Sequence, residues 1–146
     1  MIKQQISNPE VLNEAYCYDK PSGFSRGIKL KISGSVFLFI SGTASIDENG
    51  NTIHIGDFRQ QTERTYHNIK KLLEVEGATW ADVVKTTVYI KDINKHYDEF
   101  NFIRMQFFKQ ECIDPFPASV GVEAKLCRED LLIEMDAIAV IDSNKK

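Results

Sequence analysis

The side chains with the clearest chemical potential in this chain are acidic and lie near its C-terminus. Glu123, Glu134 and Asp136 are spaced so that a pair of β-strands would place them on one face, together with Ser119 and Gly121. A carboxylate on such a face can act as a general base or bind a cation, and a serine hydroxyl can hydrogen-bond a ligand. This cluster is therefore the first candidate for a functional site.

The two segments that carry this cluster, 116–126 and 131–140, have the two-residue hydrophobic period of β-strands. The short break between them predicts a turn, and hence an antiparallel hairpin in which Glu123 lies opposite Glu134. Like charges that face each other directly destabilise a sheet, so a cation, a proton, water or a second subunit is expected to offset them. The alternate apolar residues are expected to face the core: Ala118, Val120, Val122, Ala124, Leu126, Leu131, Ile133, Met135, Ala137 and Ala139.

The rest of the chain predicts the elements that hold this hairpin in place. In chain order these are strands 25–32 and 36–41, a helix from an N-cap at Asp57 to about residue 76, a strand 83–90, a helix from about residue 94 to 108, and the closing hairpin. The order β-β-α-β-α-β-β predicts an α+β fold, a mixed sheet with two helices on one face. Residues 1 to about 20 lack a clear pattern and are expected to be partly irregular.

Two helices leave the other face of the predicted sheet without cover. Strand alternation places Phe37 and Phe39 together on one face. Because large apolar patches on a protein surface usually mark an interaction site, we expect a second subunit to cover part of this face.

Length and composition exclude several classes of protein. A length of 146 residues corresponds to one domain, 1–146, with a single core, and a net charge of −3 argues against a nucleic-acid-binding surface. No apolar run approaches the roughly 20 residues that span a bilayer, and the first residues lack the core of a signal peptide, so a cytoplasmic location is expected. The three cysteines and three histidines show neither disulfide nor metal-ligand spacing, so no metal site is predicted.

Several segments, taken together, resemble one known family. They are Phe24-Ser25-Arg26-Gly27, Ile40-Ser41-Gly42-Thr43, Gly56-Asp57 before a helix, the block DVVKTTVYIKD at 82–92, Phe116-Pro117-Ala118, and Glu134-Met135-Asp136-Ala137-Ile138-Ala139. With the order of elements, they resemble the RidA family, also called YjgF or UK114, over about residues 16–141.

The resemblance implies a chorismate-mutase-like fold and a homotrimer with pockets between neighbouring subunits. It also implies a cofactor-free activity on a small metabolite, the hydrolysis of reactive 2-imino or enamino acids to 2-keto acids and ammonia. Matched position by position, the general base would be Glu134, in the last strand. The pocket aromatic would be Phe24, and the Ser-Gly pair after the second strand would be Ser41 and Gly42.

The chain departs from the family pattern in this pocket. Ser119 stands where relatives place an arginine that grips the substrate carboxylate, Gly121 stands where they often have Cys, and Phe24 lacks the usual tyrosine hydroxyl. Without the two hydrogen bonds from arginine to the substrate carboxylate, substrate binding is expected to weaken by on the order of 3–4 kcal/mol, since charge-assisted hydrogen bonds contribute roughly 1.5–3 kcal/mol each. Lys125 and Arg26 are candidates to replace the charge. An acid-lined site without the arginine is expected to favour neutral or cationic ligands over small 2-imino acids.

These observations leave several functions open, including whether the chain is an enzyme. The first is an imine or enamine deaminase with altered substrate choice, and the second is a non-catalytic ligand-binding or regulatory trimer. The segment 41–46, and the segment Pro117-Ala118-Ser119 with Gly121, also resemble the chorismatase branch of the superfamily, which would imply an aromatic or cyclohexadiene carboxylate ligand. Some relatives are called ribonucleases or translation inhibitors. The net negative charge of this chain argues against such a role, because RNA-binding surfaces are basic.

Overall fold

A computed structural model describes residues 1–144. It contains six strands and two long helices, with short 3-10 turns at Ala15–Cys17 and Trp80–Asp82. The elements are β1 Ile2–Ile6, β2 Gly27–Ile32, β3 Ser35–Ala44, α1 Phe58–Glu74, β4 Val83–Ile90, α2 Ile93–Gln110, β5 Ala118–Glu123 and β6 Ile133–Asp142. Within the described residues, no helix is long and apolar enough to cross a membrane.

All six strands form one mixed sheet in the order β1-β2-β3-β6-β4-β5, and both helices pack on the same face of it. The core lies between the helices and the central strands, where Leu38 and Ile40 of β3 pack with Ile69 and Leu72 of α1 and with Phe100 of α2. This architecture confirms the expected α+β fold, a mixed sheet with two helices on one face.

Both helices begin close to their predicted positions. Asp57 is the N-cap of α1, and its carboxylate accepts a hydrogen bond from the N–H of Gln60 at 3.0 Å. This bond satisfies one of the donors that a helix leaves unpaired at its start. The second helix follows Asp92 and starts at Ile93, one residue before the expected position.

The predicted closing hairpin is wrong. β5 pairs in parallel with β4, whereas β6 lies between β3 and β4 and is antiparallel to both. A two-residue period indicates which side chains share a face, but it carries no information about which strand lies alongside. The side chain of Gln61 helps to direct β6 to its place, since it donates to the carbonyl of Asp130 at 2.9 Å and accepts from the N–H of Leu132 at 2.8 Å.

The carboxylates of the predicted hairpin are consequently separated. Glu134 pairs with Tyr89 and Ala44, not with Glu123. Glu123 lies next to Ile90, and its carboxylate accepts a hydrogen bond from the N–H of Ile93 at 3.1 Å. Because a helix N-terminus favours a negative charge, Glu123 stabilises the start of α2 instead of repelling Glu134.

The inward face predicted for β5 is also wrong, whereas that of β6 is right. Val120 and Val122 are 45% and 38% exposed. Ser119 and Gly121 lie on the helix side of β5, where the hydroxyl of Thr86 donates to Ser119 Oγ at 3.0 Å. As an edge strand with little cover, β5 leaves both faces exposed. The buried residues of β6 are Ile133, Met135, Ala137, Ala139 and Ile141.

Residues 2–6, within the region expected to be partly irregular, form the edge strand β1 antiparallel to β2. Its sequence, IKQQI, has no apolar alternation, and only Ile6 of the strand is buried. An edge strand with one buried residue depends on the backbone hydrogen bonds to its neighbour, which the composition does not reveal.

The sheet face opposite the helices is called the open face here. Its central part carries alternating side chains of β3, β6 and β4 that point away from the buried core. The open-face residues of these strands are Phe37, Phe39, Lys85, Thr87, Tyr89, Glu134, Asp136, Ile138 and Val140. The prediction that Phe37 and Phe39 share a face is confirmed, and Phe39 is 39% exposed.

Candidate functional site

A cavity of about 560 Å³ lies on the open face where β3, β6 and β4 run side by side. Four residues expected at the site line it together: Phe24, Ser41, Gly42 and Glu134. The other lining residues are Phe39, Ile40, Lys85, Thr87, Asp136, Ala137 and Ile138. Residues distant in the sequence therefore meet in one concave surface.

A β-bulge creates the part of the cavity nearest Glu134. Ile40 pairs with Ala137 and Thr43 pairs with Met135, so two residues of β3, Ser41 and Gly42, oppose a single residue of β6. Bulges of this kind change the direction of nearby side chains and often lie next to active sites.

Glycine at position 42 makes room for the carboxyl group of Glu134. A Cβ atom built on Gly42 would lie 2.8 Å from Glu134 Oε1 and 3.1 Å from its Cδ. Real Cβ atoms do not approach other atoms so closely, so a larger residue would displace the carboxyl group. The Glu134 carboxyl group thus packs directly against the main chain of Gly42.

Glu134 holds its proton more strongly than an ordinary glutamate. Burial, and secondarily the negative charge of Asp136, raise the pKa of its carboxyl group. Within residues 1–144 the carboxyl group has no hydrogen-bond or ion-pair partner. A carboxyl group with a raised pKa and no partner can accept and return a proton during a reaction.

Asp136, two residues along β6, is placed differently. Its carboxylate accepts hydrogen bonds from the N–H of Thr87 at 3.1 Å and from the hydroxyl of Tyr89 at 3.3 Å. Burial, together with the charge of Asp136, raises the pKa of Tyr89, so the phenol stays neutral and remains a donor. Two neighbouring carboxyl groups thus have distinct environments: Asp136 is fixed by donors and Glu134 is free.

Ser41 and Phe24 form another part of the cavity wall. The hydroxyl of Ser41 donates to the carbonyl of Ser25 at 2.6 Å, and its N–H donates to the carbonyl of Arg26 at 3.0 Å. Both hydrogen-bond donors of Ser41 are therefore bonded to main-chain carbonyls of the same chain. Its hydroxyl oxygen can still accept a hydrogen bond from a ligand.

The Phe24 ring is held by Arg26, a buried residue. The Arg26 guanidinium lies 5.4 Å from the centroid of Phe24 and 5.6 Å from that of Tyr18. It also donates to the Tyr18 hydroxyl and to the carbonyl of Asn13 at 2.9 Å. Such cation–π and hydrogen-bond contacts fix the guanidinium between two aromatic rings.

The two basic residues considered as replacements for the absent arginine lie elsewhere. Arg26 lines a smaller cavity of about 140 Å³ next to Glu134, but its guanidinium is engaged by Tyr18 and Asn13. Lys125 lines a separate cavity with Glu123. Neither residue is among those lining the main cavity.

Lys85 lines the main cavity, and sequence reasoning missed it as a site residue. The signal was present, because Lys85, Thr87 and Tyr89 alternate along β4 and share the open face. A register shift just before Lys85, where Val83 pairs with Ala139 and Lys85 with Ile138, sets this orientation.

Ser119 and Gly121 are not brought to the cavity within one chain. They lie on β5, two strands from β6, which is a distance of about 10 Å between the strand axes. A Cβ atom on Gly121 would lie 3.8 Å from the Tyr97 ring, on the helix side of the sheet. Within one subunit, the open-face cavity therefore contains four of the six expected site residues.

No group of three or more His, Cys, Asp or Glu side chains within residues 1–144 has the arrangement of a metal site. The polar groups of the cavity are instead suited to an organic ligand. They comprise the carboxyl groups of Glu134 and Asp136, the Lys85 ammonium and the hydroxyls of Ser41 and Thr87.

Comparisons with known proteins agree with this architecture. The family model for Endoribonuclease L-PSP matches residues 20–141. A RutC family protein of Pyrococcus abyssi is 40% identical over 121 residues, which cover 82% of this chain and 88% of that protein. A RutC family protein of Saccharolobus solfataricus is 36% identical over 121 residues, covering 82% and 89% of the two chains.

The crystal structure of the YjgF gene product of Escherichia coli has the same fold. It superposes with a TM-score of 0.75 at 26% identity, over 94% of this chain and 98% of that one. With the family-model match and the curated relatives, this similarity shows that the chain belongs to the RidA/YjgF/UK114 family, the group that the Endoribonuclease L-PSP model describes.

Proposed function

We propose that this protein is a small-molecule hydrolase of the deaminase type, which acts on reactive imine or enamine metabolites. The observation that carries the proposal is the Glu134 carboxyl group, which has a raised pKa, lacks a partner in the described chain and contacts the Gly42 bulge in an open-face cavity. Family membership supports a role of this general kind.

In the proposed reaction, Glu134 orients a water molecule beside the C=N carbon of the substrate. As the water oxygen forms a bond to the carbon of the protonated C=N group, Glu134 accepts one of the water protons, and the C=N π electrons pass to nitrogen, which becomes a neutral amine. Glu134 then returns the proton to this amine, the C–N bond breaks, and ammonia leaves. As the carbonyl forms, the remaining hydroxyl proton passes to ammonia. The balance is one protonated imine and one water converted to one carbonyl compound and one ammonium ion.

The complete site is proposed to need more than one copy of the chain. Ser119 and Gly121 do not line the cavity of their own subunit. A homotrimer that covers the open face would bring the exposed edge strand β5 of one subunit toward the cavity of the next. The exposed side chains of Phe39, Val120 and Val122 provide apolar surface for such an interface.

Substrate choice is proposed to differ from that of relatives with the arginine. Ser119 offers one neutral hydroxyl, already accepting a hydrogen bond from Thr86, where relatives place a bidentate guanidinium. Small 2-imino acids, whose carboxylate would bind there, are therefore expected to react about 100-fold more slowly than with an arginine-bearing relative.

The test is a direct assay of imine hydrolysis. An amino-acid oxidase generates imines in situ, semicarbazide competes for them, and the rate of ammonia release is compared for wild type, Glu134→Gln and Ser119→Arg. We expect Glu134→Gln to lose at least 100-fold in rate and Ser119→Arg to gain on the imines of alanine and serine. Wild-type rates no faster than the spontaneous reaction, across neutral, cationic and anionic side chains, would overturn the proposal.

A second candidate is a non-catalytic ligand-binding trimer of the same fold, which the serine at position 119 favours. Thermal-shift screening with keto acids and aromatic acids separates the two functions. Stabilisation by a ligand without turnover of any imine supports binding alone, whereas loss of turnover in Glu134→Gln with retained ligand stabilisation supports the hydrolase.

A further inference from the structure

We infer that Lys85 binds an anionic group of the substrate at the end of the cavity remote from Glu134. The substrate would then be an imine or enamine that carries a carboxylate several bonds away from the reacting carbon. This inference rests on the proposed function and names the substrate class of the same site.

The position of Lys85 in the sheet supports this inference. On β4, Tyr89 lies beside Glu134, and Lys85, four residues earlier, lies beside Ile138. At about 3.3 Å per residue, these two levels of the sheet are roughly 13 Å apart. Lys85 and Glu134 nevertheless line one cavity, so a single ligand can contact both.

The Lys85 ammonium is available for a ligand. Lys85 is exposed, and within residues 1–144 it forms neither a hydrogen bond nor an ion pair. Other lysines of this chain are paired, as Lys70 is with Glu111 at 2.8 Å. The nearest acid on the same face, Asp136, accepts hydrogen bonds from Thr87 and Tyr89 instead.

Geometry then selects the kind of substrate. An extended lysine side chain spans about 6 Å, so several ångströms remain between its ammonium and the Glu134 carboxyl group. A carboxylate bonded directly to the reacting carbon does not bridge this gap, whereas one carried on a side chain of two or three carbons does. A lysine ammonium is a compact charge without a fixed donor geometry, so it accepts anions over a range of positions.

The test compares two substrates that differ in a distal carboxylate. The imines of glutamate and norvaline have five-carbon backbones, and only the first carries a carboxylate at its far end. We expect the wild-type KM for the glutamate imine to be at least tenfold lower than that for the norvaline imine. Lys85→Gln should raise the KM for the glutamate imine and so remove this difference. Lys125→Gln is the matched control, because Lys125 is exposed but lines a different cavity.

A binding measurement separates failure of this inference from failure of the proposed function. Thermal shifts of the full chain are recorded with glutarate and with butyrate, and circular dichroism checks that each variant is folded. If imines are hydrolysed but Lys85→Gln affects both substrates equally or neither, the role of Lys85 is overturned while the hydrolase proposal stands. If no imine is hydrolysed, a glutarate shift lost only in Lys85→Gln supports the anion site, and an unchanged shift, or none, overturns it.

Discussion

The carboxyl group of Glu134 lies so close to Gly42 that a Cβ atom at position 42 would be 2.8 Å from Oε1. Position 42 therefore needs glycine because the Glu134 side chain packs on its main chain. The contact joins the bulge of β3 to the free carboxyl group of β6, two elements that meet only in the folded sheet.

Replacement of Gly42 by alanine should impair activity more than stability. The new methyl group must displace the end of a flexible side chain rather than backbone, so we expect the free energy of unfolding to change by less than about 1 kcal/mol. Moving the Glu134 carboxyl group should lower kcat/KM for imine hydrolysis by at least tenfold. Gly23→Ala is the control, since a Cβ atom at Gly23 meets nothing within 4 Å. Equal losses of activity in both variants would contradict this prediction.

Glu134→Gln should stabilise the protein at neutral pH while it lowers the rate of imine hydrolysis at least 100-fold. Because the folded state raises the pKa of Glu134 above its ordinary value of 4.5, the ionised carboxylate is less favourable in the folded than in the unfolded chain. The free-energy cost of the ionised Glu134 to folding develops as the pH rises from 4.5 to the pKa of the folded state, and it is constant above that pKa.

Thermal unfolding as a function of pH measures this effect. The Tm of Glu134→Gln should exceed that of wild type at pH 7, and the difference should shrink as the pH falls below 4.5. If Glu134 is the general base, wild-type activity should also fall at acidic pH, with a midpoint above 4.5. A variant less stable than wild type at pH 7 would mean that an unseen partner stabilises the carboxylate.

Arg26 is expected to be a structural residue that positions the cavity wall. Its guanidinium is buried between Tyr18 and Phe24 and donates to the Asn13 carbonyl. Arg26→Ala should lower the free energy of unfolding by about 2–4 kcal/mol, because stacking, hydrogen bonds and packing are lost together. Arg26→Lys keeps the charge without the planar guanidinium and should recover only part of this loss. Urea denaturation measures both variants, and full recovery in the lysine variant would show that charge alone matters.

Gln61 should be needed for the correct entry into β6. Gln61→Leu leaves the partly buried carbonyl of Asp130 and the N–H of Leu132 without the side-chain partner that they share, which should cost about 2–4 kcal/mol. Activity should fall as well, since Glu134 follows two residues after Leu132. Gln60→Ala changes the adjacent exposed residue of α1 and should alter stability by less than about 0.5 kcal/mol. Chemical denaturation and imine hydrolysis, measured in parallel, check this prediction.

A charge on the open face should dissociate the proposed trimer. Phe39 is 39% exposed in the single chain, and Phe39→Asp would bury a carboxylate in the interface. Light scattering after size exclusion should report monomers for this variant and trimers for wild type. Phe102→Asp, at an exposed phenylalanine of α2 on the helix side, should leave the assembly intact. A monomeric wild type would refute the assembly, and with it a site shared between subunits.

The sequence by itself determined the local features of this protein. Caps and hydrophobic periods located both helices and five of the six strands, and alternation placed Glu134 and Asp136 on the side of β6 away from its buried residues. These features depend on residues close together in the chain, which is why they are readable from composition and spacing. The family motifs also identified the family correctly.

Only the tertiary structure decided which strands lie side by side. Glu123 and Glu134 are not cross-strand neighbours, because β4 lies between β5 and β6. The same pairing separates Ser119 from Glu134 and brings Lys85 into the cavity in its place. Strand pairing arises from contacts between residues far apart in the sequence, and a two-residue period is compatible with any partner. Alternation along β4 therefore indicates that Lys85 shares a face with Thr87 and Tyr89, but only the sheet order shows that this lysine lines the same cavity as Glu134 and Asp136.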